Sequence, residues 1–102
     1  MIQVSWHPQA KRELFAASRF YEQESSGLGS LFLDAVYEAL ERLKVHPRSG
    51  RVLRQTTRRY VVTRFPYSLV YRLVPGKEAG ESLFLLAVAH QRRRPFYWAT
   101  RR

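Results

Sequence analysis

The segment Leu83 to Trp98, LFLLAVAHQRRRPFYW, carries the residues best equipped for chemistry. His90 has a ring that titrates near neutrality, so it can act as a general base; a lone histidine at a strand end equally serves as a hydrogen-bonded structural residue. Arg92, Arg93 and Arg94 follow, forming either a contact patch for anionic groups or a solvated edge that keeps a strand from pairing with other chains. Phe96, Tyr97 and Trp98 can stack on bases, or fold back and cover the end of the core. The chain has no cysteine, which removes thiolate nucleophiles, disulfides and Cys-ligated metals. No cofactor and no metal are expected.

The charge is unevenly placed. The formal net charge is +10, yet residues 1–41 carry three basic against six acidic side chains. Residues 42–102 carry fifteen basic side chains against only Glu78 and Glu81. All but Lys11, Lys44 and Lys77 of the eighteen bases are arginine, the cation suited to bidentate and stacked contacts with phosphates or carboxylates. The partners implied are nucleic acid, or an acidic protein surface that competes with it.

The elements that must position these residues follow from spacing. Ile2 to Trp6 is expected as a short strand, and Pro8 suits the first turn of a helix, where its missing N–H costs nothing. Ala10, Leu14, Ala17 and Tyr21 form an apolar stripe at helical period, predicting a helix from about Pro8 to Glu24. Ser25 to Gly29 break it, and Ser30 is a plausible N-cap for a second helix. In that helix Phe32, Ala35, Val36, Ala39, Leu40 and Leu43 make the apolar stripe, with Asp34, Glu38 and Glu41 on a solvated face. Pro47 and Gly50 end it near His46, and the short linker predicts an antiparallel helical hairpin.

Arg48 to Arg59 reads as a polar, basic connector. Tyr60 to Phe65 and Tyr67 to Val74 are expected as strands separated by Pro66, and Pro75, Gly76 and Gly80 mark a turn. Leu83 to Ala89 contains no polar residue, which indicates burial on both faces or a short buried helix segment; the short run, bounded by Gly80 and Glu81 and by charge, favours a central strand over Ser82 to His90. Pro95 allows a short helical turn through Trp98. The expected fold is α+β: a short N-terminal strand and a helical hairpin packed on a mainly antiparallel sheet of three to four strands, as one domain over residues 1–102. No apolar run approaches the roughly 18 residues of a membrane span and no signal peptide is evident, so the expectation is a cytoplasmic protein without a membrane partner.

At FPYSLVYRL (Phe65 to Leu73) and LAVAHQRRRPFYW (Leu86 to Trp98) the sequence resembles the RelE/ParE superfamily of type II toxins, small bacterial plasmid-stabilisation proteins encoded beside an antitoxin. The likeness extends over essentially the whole chain, including HPRSG (His46 to Gly50) after the second helix. RelE-like members are similar in cutting mRNA on the ribosome, with basic residues and a C-terminal tyrosine or histidine promoting attack by the ribose 2′-hydroxyl. That chemistry needs a base and a stabiliser for the extra charge on the phosphate. The RelE pattern has arginines where this chain has Ser68 and Gln91, while its terminal tyrosine is matched by Tyr97.

The HQRRRPFYW tail is more similar to the ParE branch, whose studied members poison DNA gyrase. The resemblance therefore implies a toxin that blocks gyrase or another nucleic-acid machine without being an enzyme. The alternative it leaves open is a ribosome-dependent endoribonuclease using Arg64, His90, Arg93 and Tyr97. A basic RNA-binding module without toxicity is the third possibility. Arg64, Arg72, Arg92, Arg93, Arg94 and Trp98 are the candidate contacts for target or antitoxin; Arg64 and Arg72 can equally pair with Glu78 or Glu81 on a neighbouring strand. An acidic antitoxin segment, adding a strand to a sheet edge or laying a helix along the surface, is the expected partner.

Overall fold

The computed structural model describes residues 2–78 and 80–102. Strand β1 (Gln3–Trp6) leads into α1 (Pro8–Glu24), whose N-terminus is capped by His7: Nδ1 accepts the Gln9 N–H at 3.1 Å. Ala10, Leu14 and Ala17 are buried, as the helical stripe requires.

Helix α2 (Leu28–Val45) starts earlier than Ser30 would have it. Gly27, at φ 87, is the N-cap, and no side chain of its own supplies an acceptor. Glu22 of α1 supplies it instead, its two carboxylate oxygens accepting the N–H groups of Gly27 (2.9 Å) and Gly29 (3.0 Å). Ser30 therefore lies inside the helix. A Cβ on Gly29 would lie 2.5 Å from the Ser18 carbonyl oxygen, so the glycine lets the two helices approach.

Four further strands complete one sheet: β2 (Arg51–Arg54), β3 (Thr57–Val61), β4 (Tyr67–Pro75) and β5 (Glu81–His90). The spatial order is β1-β5-β4-β3-β2, with β1 parallel to β5 and the other pairs antiparallel. This is the expected α+β arrangement, with five strands rather than three or four. The added strand comes from the Arg48–Arg59 connector, which folds as the β2–β3 hairpin around Gln55 at φ 49.

A second difference concerns Arg64. It was expected on a strand, but β3 ends at Val61 because Pro66 has no N–H to donate and restricts Phe65 before it. Arg64 sits in the following turn at φ 73.

The sheet is covered on both faces. The helices pack on one through Leu14, Phe32, Val36 and Leu43 against Leu69, Tyr71, Leu83, Leu85 and Val88. On the other face Trp98, 6% exposed, closes a smaller cluster with Val70, Leu86 and Ala87. The change of face along β5 is made by a bulge. Tyr71 pairs with Leu85 and Val70 with Ala87, leaving Leu86 as the extra residue.

Candidate functional site

The C-terminal tail folds back across the face of the sheet opposite the helices and leaves a cleft of about 230 Å³. Its floor is Arg59 of β3, Ser68 and Val70 of β4 and Ala89 of β5, and its wall is the tail from Gln91 to Trp98. Arg59, Arg93 and Arg94 line it, and no acidic side chain does. Among the described residues none of these three arginines forms an ion pair. Their donors are left for an anionic ligand or partner.

The tail is held by aromatic and charged contacts. The Arg93 guanidinium lies 3.9 Å from the Tyr97 ring centre, and that of Arg54 lies 4.2 Å from Phe96. Phe96, at φ 60, turns the chain so that Trp98 enters the second core. The Tyr97 hydroxyl donates to Glu13 Oε2 at 2.8 Å. Arg101 donates to both oxygens of the same carboxylate, at 2.9 and 2.8 Å, and to the Leu86 carbonyl at 3.0 Å.

Residues 4–95 match the family model described as the ParE toxin of the type II toxin-antitoxin system parDE. The chain belongs to the ParE toxin family. A solved structure described as the chromosomal ParDE TA system from P. aeruginosa shares its fold, with a TM-score of 0.61 at 23% identity, covering 88% of this chain and 96% of that one. Among curated proteins none matches.

In this ParE-family toxin the candidate residues divide into groups. His90, Arg93, Arg94, Tyr97 and Trp98 converge on the cleft. Arg92 is exposed beside it. Arg64 is exposed in the turn before Pro66, whose carbonyl accepts the Gln91 N–H at 2.9 Å, so it shares the cleft's end of the sheet. Arg72 does not line the cleft; its guanidinium lies 5.5 Å from the Phe84 ring. Neither Arg64 nor Arg72 takes Glu81, which pairs with Arg48 at 2.7 Å.

The two acid–base candidates are both engaged. His90 Nδ1 accepts the Arg92 N–H at 3.0 Å and its ring stands edge-on to Tyr67, 5.0 Å between centres. With Nδ1 occupied as an acceptor, the neutral ring carries its proton on Nε2 and has no second lone pair to offer. The Tyr97 hydroxyl is committed to Glu13, and its pKa is pushed up by burial and by that carboxylate. Trp98 is buried in the second core and presents little surface to a partner.

Arg59, Arg54, Glu13 and Arg101 were not candidates from sequence. Arg54 and Arg59 lie in the segment that reads as a polar, basic connector. Glu13 and Arg101 meet only through the tertiary fold, from positions 88 residues apart.

Proposed function

We propose that this ParE-family toxin acts as a non-enzymatic binding poison, with DNA gyrase as its target and the cleft under the C-terminal tail as its effector surface. The observation that carries the proposal is the commitment of both acid–base candidates to internal hydrogen bonds. Ser68 and Gln91 line the cleft where an RNA-cleaving relative would hold phosphate-stabilising arginines. Loss of one such stabiliser typically costs about a hundredfold or more in rate, so cleavage chemistry is poorly supported here. Arg59, Arg93 and Arg94 instead suit docking on an acidic protein surface or a DNA backbone.

Neutralisation by an acidic segment of a cognate antitoxin belongs to the same proposal. Strand β2 lies at the sheet edge with Arg51, Val52 and Arg54 exposed, which suits addition of an acidic strand. No helix among the described residues is long and apolar enough to cross a membrane, and nothing in the proposal calls on one.

The test is induction of the chain alone in bacteria, followed within minutes by primer extension on several mRNAs and by assay of plasmid supercoiling and DNA breaks. Gyrase-linked breaks with intact mRNA are expected. Codon-aligned mRNA cleavage with normal supercoiling would overturn the proposal and restore His90 and Tyr97 as catalytic candidates.

A further inference from the structure

Strand β1 covers the edge of β5 only as far as Leu85, whose carbonyl accepts the His7 N–H at 2.8 Å. Beyond that point the chain has turned away into α1, and among the described residues no strand lies beside β5 on this side. The bulge at Leu86 reverses the direction in which successive peptide groups point. The Leu86 carbonyl and the Val88 N–H therefore face the vacated edge.

Two side chains complete the ladder there. Glu13 Oε1 accepts the Val88 N–H at 3.0 Å, and Arg101 donates to the Leu86 carbonyl at 3.0 Å. The same carboxylate takes the Tyr97 hydroxyl and both Arg101 nitrogens. Side-chain exposure is only 16% for Glu13 and 10% for Arg101. An unmatched partner left behind in so enclosed a pair would be a buried charge, so the two side chains hold each other and the tail together.

We infer that Glu13 is the positioning residue of the basic cleft: its carboxylate stands in for a missing strand, clasps the tail to β5, and so fixes Arg93 and Arg94 opposite Arg59. The link to the cleft runs through Tyr97, whose hydroxyl Glu13 holds and whose ring carries Arg93. The inference rests on the cleft being the effector surface. Without the clasp, the tail keeps the packing of Tyr97 and Trp98 on the second core, the Phe96–Arg54 contact and the Gln91 N–H to the Pro66 carbonyl, and Arg93 and Arg94 are no longer held in place over Arg59.

The experiment combines amide hydrogen exchange on the purified chain with growth arrest on induction, for Glu13→Ala, Glu13→Gln and Arg101→Gln. In Glu13→Ala the Val88 amide is expected to exchange at least roughly tenfold faster while Leu69, in the middle of the sheet, keeps its protection. Growth arrest should weaken in parallel, and Glu13→Gln, which retains one acceptor oxygen, should recover part of both. Arg101→Gln opens the clasp from the other side and should reproduce the effect should Glu13→Ala fold poorly. Unchanged protection of Val88 in both Glu13→Ala and Arg101→Gln, or a released tail with full growth arrest, would overturn the inference. A parent chain that arrests nothing would overturn it together with the functional reading. Arrest with gyrase untouched would overturn only the choice of target.

Discussion

The Arg93 guanidinium carbon stands over the Tyr97 ring, 3.9 Å from its centre. The contact fixes the charge without consuming its N–H donors, so Arg93 is presented to the cleft rather than neutralised. Arg93→Ala is expected to abolish or strongly weaken growth arrest. An exposed cation–π contact contributes about 0.5–1 kcal/mol, so the substitution should lower the melting temperature by only a few degrees. Arg93→Lys keeps the charge but loses the planar fork, and an intermediate phenotype is expected. Growth curves beside thermal melts of the purified variants check both statements.

Tyr97 links that arginine to the clasp, and its ionisation gives the fold an alkaline limit. Burial first, then the hydrogen bond and charge of Glu13, raise its pKa above the ordinary 10.0, with Arg101 and Arg93 opposing. The folded chain thus keeps the phenol protonated where the unfolded chain ionises. Its contribution is complete below about pH 10 and is lost as pH rises beyond it. Tyr67 and Tyr71, also raised by burial, act in the same direction. Tyr97→Phe should cost about 1–3 kcal/mol at neutral pH and make the alkaline loss shallower without removing it. Urea midpoints of parent and variant, compared at neutral pH and above pH 10, give the result.

The turn between α2 and β2 depends on another tyrosine. The Tyr71 hydroxyl accepts the Gly50 N–H at 3.0 Å and donates to the Pro47 carbonyl at 2.7 Å. A Cβ at position 50 would lie 2.5 Å from the Tyr71 hydroxyl oxygen, and Tyr71 is fully buried with no room to yield. Gly50→Ala is expected to destabilise the chain by about 1–3 kcal/mol. Tyr71→Phe leaves the Gly50 N–H without its partner and should cost a similar amount, about 1–3 kcal/mol. Chemical denaturation of each variant measures the loss, and a neutral Gly50→Ala would contradict the packing described.

Much of the architecture was legible because it rests on local periodicity. The stripe Ala10, Leu14, Ala17 and the stripe Phe32 to Leu43 are buried as helical spacing demands. The unbroken apolar run from Leu83 to Ala89 indicated burial on two faces, which the tail and the helices provide. The β2–β3 hairpin was not legible. Strand β2 lies at the sheet edge, β3 carries Arg58 and Arg59 on opposite faces so that no apolar alternation marks its start, and the turn at Gln55 lacks the Asn-Gly or Asp-Gly signal. The bulge at Leu86 hides inside an apolar run where no alternation could reveal a lost register. Glu13 looked like any acid on a helix, since its donors arrive from Val88, Tyr97 and Arg101 through folding alone.

The most direct measurement is supercoiling of relaxed plasmid by purified gyrase in the presence of the purified chain, repeated with Arg59, Arg93 and Arg94 changed together to alanine. The account predicts that the parent chain suppresses supercoiling and traps gyrase-linked DNA breaks, and that the triple variant, still folded, does neither. Undisturbed supercoiling at a stoichiometric excess of folded parent chain would contradict it.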